Sequence, residues 1–276
     1  MIVKLTENKL RRLIKEAIEK HLNENVGYNK ISISNEELEK RYKNGEKLWE
    51  IFDNYITFDD CYLVYLNDKE NFLTKKGKLL FDVWFDIIHP FYNGFALVEI
   101  NNNFNFIDMN GNYLVSQWFD YARDFDDGYA LVLKNEKFNF IDEWGDYLFE
   151  EGFDDADGFD YKGYAKVKKN GKYNWINLDG LYLSHQWFDE VEDFGFEKFA
   201  PVKLNDKWNY IGRNGRLLSD KWFDWVDQMY EGYGKVSING KTCFIDTKGR
   251  YYKESDIYSW NAWKGISEYD YYHSKD

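Results

Sequence analysis

The sequence predicts an all-β repeat fold, because one pattern recurs every 34 or 35 residues from about residue 62 to residue 251. Anchor glycines mark this period, at Gly77, Gly111, Gly145, Gly180, Gly215 and Gly249. Phe-Asp pairs keep the same spacing, at Phe85-Asp86, Phe119-Asp120, Phe153-Asp154, Phe188-Asp189 and Phe223-Asp224. A fixed period of this size is typical of one supersecondary unit that is stacked along the chain.

Each repeat begins with a strand of the pattern aromatic-Ala-x-Val, as at residues 164–167. The Ala and Val lie two residues apart, so they face the same side of the strand. Asn-Gly follows most clearly at residues 170–171 and 239–240, where it predicts a two-residue hairpin. The next strand carries alternating aromatic residues, such as Tyr173 and Trp175. The anchor glycine then turns the chain into a third strand that leads to the Trp-Phe-Asp segment.

Three strands per repeat predict stacked β-meanders, or hairpin units, in an open or superhelical array. A closed β-propeller-like ring is the alternative architecture. It fits less well because a propeller blade usually has four strands.

The chain divides into four zones by composition. Residues 1–24 predict an amphipathic helix, and residues 25–60 a helical cap with Ser34 and Glu37 at capping-box spacing. Residues 61–252 hold six repeats, and residues 253–276 form an aromatic C-terminal cap or tail. The apolar stripe of the first helix consists of Leu10, Leu13, Ile14, Ala17, Ile18 and Leu22. We expect this protein's own body or a second copy to cover that stripe. The alternative is that residues 1–24 are a detachable targeting or partner-binding peptide.

Composition excludes several classes of function. The net charge of −13 gives an acidic surface that repels phosphate backbones, so we expect no nucleic-acid partner. No apolar run approaches the roughly 18 residues of a membrane span, and we expect no membrane partner. The first residues lack the apolar stretch of a signal peptide. We therefore expect a cytoplasmic protein, in a bacterial host or associated with a virion.

Motifs that carry catalytic or metal chemistry are missing from the sequence. The histidines are scattered, and none stands at the spacing of a zinc site. Residues 124–128 and 154–158 are Asp-rich, but neither loop continues to the Glu of a calcium-binding EF-hand. No nucleophile elbow or phosphate-binding loop occurs. We expect no enzymatic activity, no cofactor and no metal.

The Trp-Phe-Asp segments supply the candidate binding residues. Four tryptophans recur there, at Trp84, Trp118, Trp187 and Trp222, and Gly152 replaces the fifth. If these tryptophans are exposed, they form a row of rings that can bind a protein or a sugar. If they are buried, they pack between neighbouring repeats. The acidic candidates are Asp120, Asp189 and Asp224. Their alternative role is to cap backbone amides at the corner.

The repeat resembles the WG repeat family of bacterial proteins, on the evidence of residues 137–142, 170–177 and 207–211. The resemblance covers about 190 residues and implies a β-repeat fold, with no catalytic activity, cofactor or fixed ligand. One departure is regular, because asparagine replaces the glycine that follows the first aromatic residue. These residues are Asn71, Asn105, Asn139, Asn174 and Asn209, with Cys243 in the last repeat. We expect this column of amides to form hydrogen bonds between neighbouring repeats.

Residues 4–18 are similar to an N-terminal peptide that recurs on unrelated proteins of tailed phages and of Bacteroidetes-type bacteria. That similarity implies a phage context. The leading functional hypothesis is a non-enzymatic repeat scaffold that mediates protein–protein interaction, with a phage association. A carbohydrate-binding module that uses exposed tryptophans and a structural or packaged virion component are the alternatives.

Overall fold

The computed structural model describes residues 34–58, 61–194 and 198–256. The predicted helix of residues 1–24 lies outside these ranges, as does nearly all of the predicted C-terminal cap. The chain divides into two compact units, Met1–Phe153 and Asp154–Asp276. Among the described residues, no helix combines the length and the apolar character that a membrane crossing requires.

The first unit contains two helices and three antiparallel sheets in its described residues. The helices are α1 (Asn35–Lys43) and α2 (Leu48–Ile51). The first sheet consists of β1 (Asn54–Thr57), β2 (Cys61–Leu66) and β3 (Lys69–Thr74). The second consists of β4 (Ile87–Ile88), β5 (Phe95–Ile100) and β6 (Asn103–Asp108). The third consists of β7 (Tyr121–Ala122), β8 (Tyr129–Lys134) and β9 (Lys137–Asp142).

The second unit contains three further antiparallel sheets in its described residues. The fourth sheet consists of β10 (Asp155–Ala156), β11 (Tyr164–Lys169) and β12 (Lys172–Asn177). The fifth consists of β13 (Glu190–Val191), β14 (Phe199–Leu204) and β15 (Lys207–Gly212). The last has four strands, β16 (Trp225–Val226), β17 (Tyr233–Ile238), β18 (Lys241–Asp246) and β19 (Tyr251–Tyr252). The prediction of repeated three-stranded meanders in an all-β fold is confirmed.

The two long strands of each sheet are joined by a two-residue turn whose residues both have positive φ. The φ angles are 53° at Asn170 and 76° at Gly171, as a type I′ hairpin requires. Residues 135–136 adopt the same conformation without glycine, since Glu136 has a φ of 62°. The Asn-Gly prediction is therefore confirmed, and the hairpin turn geometry extends to repeats that lack the dipeptide.

The third strand of each sheet lies after the Phe-Asp pair. The prediction that it lies before the pair is wrong. Phe119 exchanges both backbone hydrogen bonds with Phe104, at 2.9 and 2.8 Å, and so closes one sheet. The amide of Asp120 donates to the carbonyl of Leu133, 2.9 Å away, in the next sheet. The Phe-Asp pair is thus the point where the chain passes from one sheet to the next. The segment between the anchor glycine and this pair forms only isolated bridges, such as Ile107 with Tyr113.

The core lies on the Ala and Val face of the first long strand and on the Ile of the second. Ala130, Val132 and Ile141 are fully buried, and so are their equivalents in the second unit, Ala200, Val202 and Ile211. The phenylalanine of each Phe-Asp pair is also fully buried. Burial of these positions in the repeats after the first explains why the sequence keeps them while the residues between them vary.

Helix α1 packs against the first repeat at the position where the first repeat packs against the second. A Cβ on Gly111 would lie 3.0 Å from the carbonyl oxygen of Leu80 in the preceding repeat. The corresponding space at Gly77 is filled by the ring of Tyr42 from α1. Asn35 donates to the carbonyl of Phe81, and the amide of Leu79 donates to Glu39, at 3.1 and 3.0 Å. The first sheet therefore packs against α1 as a later sheet packs against the repeat before it.

Candidate interaction surface

The two ends of each sheet differ in polarity. At one end are the hairpin turns, residues 67–68, 101–102, 135–136, 170–171, 205–206 and 239–240, which contain only Asn, Asp, Glu and Gly. At the other end are the anchor turns, each built around an anchor glycine. A six-residue strand separates the two ends by about 20 Å. The hairpin turns themselves therefore offer no apolar side chain to a partner.

The aspartates of the Phe-Asp pairs lie at the hairpin end and cap its turns. The carboxylate of Asp189 accepts the amide of Asn205 at 2.7 Å and pairs with Lys172. Asp224 accepts the amide of Gly240 at 3.0 Å and pairs with Lys207 at 2.6 Å. These carboxylates link one hairpin to the next, in keeping with the capping interpretation.

Asp120 keeps the turn contact but changes its cationic partner. It accepts the amide of Asn135 at 2.9 Å. Its lysine is Lys134 at 3.1 Å, because Asn103 stands where the other repeats provide a lysine. All three candidate aspartates are therefore engaged by this protein's own groups.

We expect acid to weaken the fold partly through Asp189 and Asp224. The hydrogen bond from Lys172 and then the amide of Asn205 hold the pKa of Asp189 below its usual value. Lys207 and then the amide of Gly240 do the same for the pKa of Asp224. A pKa that is lower in the folded state stabilises the protein above the unfolded value, about 3.9. That stabilisation disappears as the pH falls from about 5 through the folded-state pKa.

The test is urea unfolding of the wild type and of the D189N/D224N variant at pH 5.5 and at pH 3. The variant has no carboxylates to protonate at these positions, so its unfolding midpoint should fall less between the two pH values. An equal fall in both proteins would show that the two pairs contribute nothing to acid sensitivity.

The four candidate tryptophans do not form a row of exposed rings. Trp84 and Trp118 are 7% and 2% exposed; Trp118 belongs to a hydrophobic cluster between the first two repeats, and Trp84 to one between the helices and the first repeat. Trp187 and Trp222 are half-buried, and the ring of Trp187 packs at 5.2 Å from that of Tyr182. Packing between repeats is the main role of this position, because the segment before the Phe-Asp pair folds against the preceding repeat.

Replacing each buried tryptophan by phenylalanine should separate the contribution of packing to stability from that of the indole hydrogen bond. The indole nitrogen of Trp84 donates to Asn35 at 3.0 Å, whereas that of Trp118 has no partner. Both variants lose packing, but only W84F removes a hydrogen-bond donor from the half-buried amide oxygen of Asn35. We expect W84F to lower the free energy of unfolding by about 1 kcal/mol more than W118F does. Equal losses in urea unfolding would contradict this role for the Asn35 contact.

The asparagine column bonds within each repeat, and not between neighbouring repeats as predicted. Asn105 donates to the carbonyls of Val115 and Gln117, both at 3.1 Å, and accepts the amide of Phe106 at 2.7 Å. The equivalent asparagines make the same kind of contact and are buried. Each amide therefore holds the irregular segment that follows the anchor turn of its own repeat.

The anchor turns carry large apolar side chains in solvent. In the first unit these are Met109, Trp144 and Tyr147, with exposures of 64%, 79% and 41%. In the second unit they are Leu181, Tyr182 and Tyr251, with exposures of 64%, 42% and 39%. Such side chains are typical of surfaces that other molecules cover.

Sequence reasoning missed these residues because it looked for a recurring residue type. Trp144 immediately precedes its anchor glycine, a position that otherwise holds Lys76, Asn110, Asp179, Asn214 and Lys248. The sequence could have identified Trp144 as the one position before an anchor glycine that is not polar or charged. Within the described ranges, no group of His, Cys, Asp and Glu is placed to hold a metal ion.

The sheets and their anchor turns define a β-repeat protein. The family model described as WG containing repeat matches residues 72–104, 106–138, 140–173 and 188–208. These four segments are WG repeats, and the chain therefore contains repeats of this family. The resemblance noted in the sequence is confirmed. A comparison with curated proteins finds no match.

Solved structures resemble the chain only weakly. Hsv2p of Kluyveromyces lactis is 10% identical over 74% of this chain and 78% of its own, with a TM-score of 0.33. PorZ, a surface component of the type-IX secretion system of Porphyromonas gingivalis, is 10% identical over 71% of this chain and 32% of its own, with a TM-score of 0.29. A eukaryotic initiation factor is 12% identical over 72% of this chain and 64% of its own, with a TM-score of 0.35. Superpositions this poor say nothing about function.

Proposed function

We propose that this protein is a non-enzymatic scaffold that binds a protein partner through its anchor turns. The observation that carries the proposal is the difference between the two ends of the sheets. Hairpin turns are wholly polar, whereas the anchor turns of each unit present exposed Met, Trp, Leu and Tyr side chains. A monomer gains nothing from exposing these side chains in water, but a covering partner would bury them.

Rigid support favours the anchor turns as a recognition surface. In the turn of the second repeat, the carboxylate of Asp108 accepts the amides of Asn110 and Asn112 at 2.9 and 2.8 Å. Asn177 makes the same pair of bonds in the fourth repeat, with Asp179 and Leu181 at 3.1 and 2.8 Å. Side chains on turns fixed in this way lose little backbone freedom on binding.

Site-specific photocrosslinking can test the proposal in an extract of the organism that encodes the chain. A photoreactive phenylalanine derivative replaces Met109 or Leu181 at an anchor turn. The matched controls carry it at Glu136 or Asp206, on hairpin turns of the same respective units. We expect a discrete crosslinked protein from the anchor positions only. Equal crosslinking from the hairpin positions, or none from the anchor positions, would contradict the proposal.

A glycan array gives the carbohydrate alternative its own test. Two of the four rings on which that alternative was based are buried. We expect the wild-type protein to show no glycan binding. Binding that is lost on substitution of Trp187 and Trp222, with the melting temperature unchanged, would favour a sugar ligand over a protein.

A further inference from the structure

The turn of residues 142–147, here called the Trp144 turn, differs from the other anchor turns in the residue that precedes its glycine. Trp144 is 79% exposed, and five equivalent positions hold small polar residues or lysine. The fold itself therefore does not require an aromatic ring at this position. The other repeats form the same turn without an aromatic residue there, so folding of the turn does not explain the indole.

The Trp144 turn holds its ring on a fixed support. Asp142 accepts the amides of Trp144 and Asp146 at 3.0 and 2.9 Å, and the amide of Gly145 donates to the carbonyl of Asp142 at 2.9 Å. Gly145 packs against Val115 of the preceding repeat. The hydroxyl of Tyr147 accepts from Gln117 at 2.7 Å, which ties the turn to that same segment.

The charged residues next to Trp144 in the sequence are all acidic. Residues 142–151 contain five carboxylates and no lysine or arginine. Glu143 and Asp146, which flank Trp144 and Gly145 in the sequence, are exposed. An indole face attracts a cation by cation–π interaction, and nearby carboxylates add to that attraction. The carboxylates would repel an acidic partner, whereas a basic segment would gain both the cation–π attraction and the attraction to the carboxylates.

We propose that the Trp144 turn binds a lysine- or arginine-rich peptide segment of the protein partner, with a cationic side chain over the indole and its neighbours facing Glu143 and Asp146. The aliphatic stem of such a side chain also covers the apolar ring. This inference rests on the proposed scaffold function and names the chemistry of the partner at one turn.

Fluorescence anisotropy with a labelled 12-residue peptide of alternating lysine and leucine tests the inference on the full chain. We expect W144A to weaken binding by about tenfold. E143Q/D146N should weaken binding several-fold and reduce its dependence on salt. Y161A serves as the control, since it removes an equally exposed aromatic side chain, 79% exposed, that lies outside the anchor turns and beside Lys162, and it should bind as the wild type does. A peptide with glutamate in place of lysine should not bind.

Equal affinity of wild type and W144A for the lysine peptide would overturn the inference, because attraction by net charge alone does not depend on the ring. A thermal melt accompanies each variant, and W144A should melt as the wild type does because its ring is in solvent. Photocrosslinking at Met109 and Leu181 separates the two proposals. A crosslinked partner together with unaffected peptide binding by W144A rejects this inference and leaves the scaffold function standing.

Discussion

The variant G215A is expected to lower the free energy of unfolding by about 3 kcal/mol or more. Gly215 has a φ of 74°, where a side chain costs roughly 1–2 kcal/mol. A Cβ at this position would also overlap the carbonyl oxygen of Leu183 from the preceding repeat. Relief of that overlap requires the two repeats to move apart, and overpacking of this kind typically costs a further 1–3 kcal/mol.

The matched control is G171A, in a hairpin turn of the same unit. Gly171 has a φ of 76°, and a Cβ there would meet no atom within 4 Å. The control therefore has the conformational cost of about 1–2 kcal/mol without the overlap. Urea unfolding followed by circular dichroism measures both variants. Similar losses would show that the approach of neighbouring repeats at the anchor glycine does not limit stability.

The repeat and its hairpins were predictable because they depend on short-range chemistry. Residues 170–171 contain the dipeptide that type I′ turns favour, and alternating residues such as Ala165 and Val167 identify the buried face of a strand. The position of the third strand was not predictable in this way. It depends on the bonds that Phe119 and Asp120 make to two different sheets, with strands that lie 13 or more residues away in sequence.

The candidate surface was less predictable than the fold because exposure depends on how neighbouring repeats pack. Trp84 and Trp144 are the same residue type, yet the first is buried against α2 and β2 residues and the second stands in solvent. Recurrence in a repeat protein marks positions that every unit needs for stacking. A residue that breaks the recurrence, as Trp144 does, is free to serve a partner.

The buried asparagines should be as important for stability as the apolar core. Asn209 is fully buried; it donates to the carbonyls of Ser219 and Lys221 at 2.8 and 3.2 Å and accepts the amide of Tyr210 at 2.8 Å. Alanine would leave these three backbone groups without that partner. Each buried unpaired group costs about 1–3 kcal/mol, so we expect N209A to lose about 3 kcal/mol of unfolding free energy.

A second substitution, N209G, distinguishes this role from backbone conformation. Glycine is the residue that the WG pattern has at this position, so its backbone is compatible with the turn. We nevertheless expect N209G to lose as much stability as N209A, since both variants remove the same hydrogen bonds. N110A is the control, because the Asn110 side chain is exposed and its amide nitrogen lies 3.5 Å from the Asp108 carboxylate. This variant should change the free energy of unfolding by less than about 0.5 kcal/mol. Near-wild-type stability of N209G in urea unfolding would mean that the loop carbonyls find other partners, and that the asparagine is not what holds the segment before Phe223.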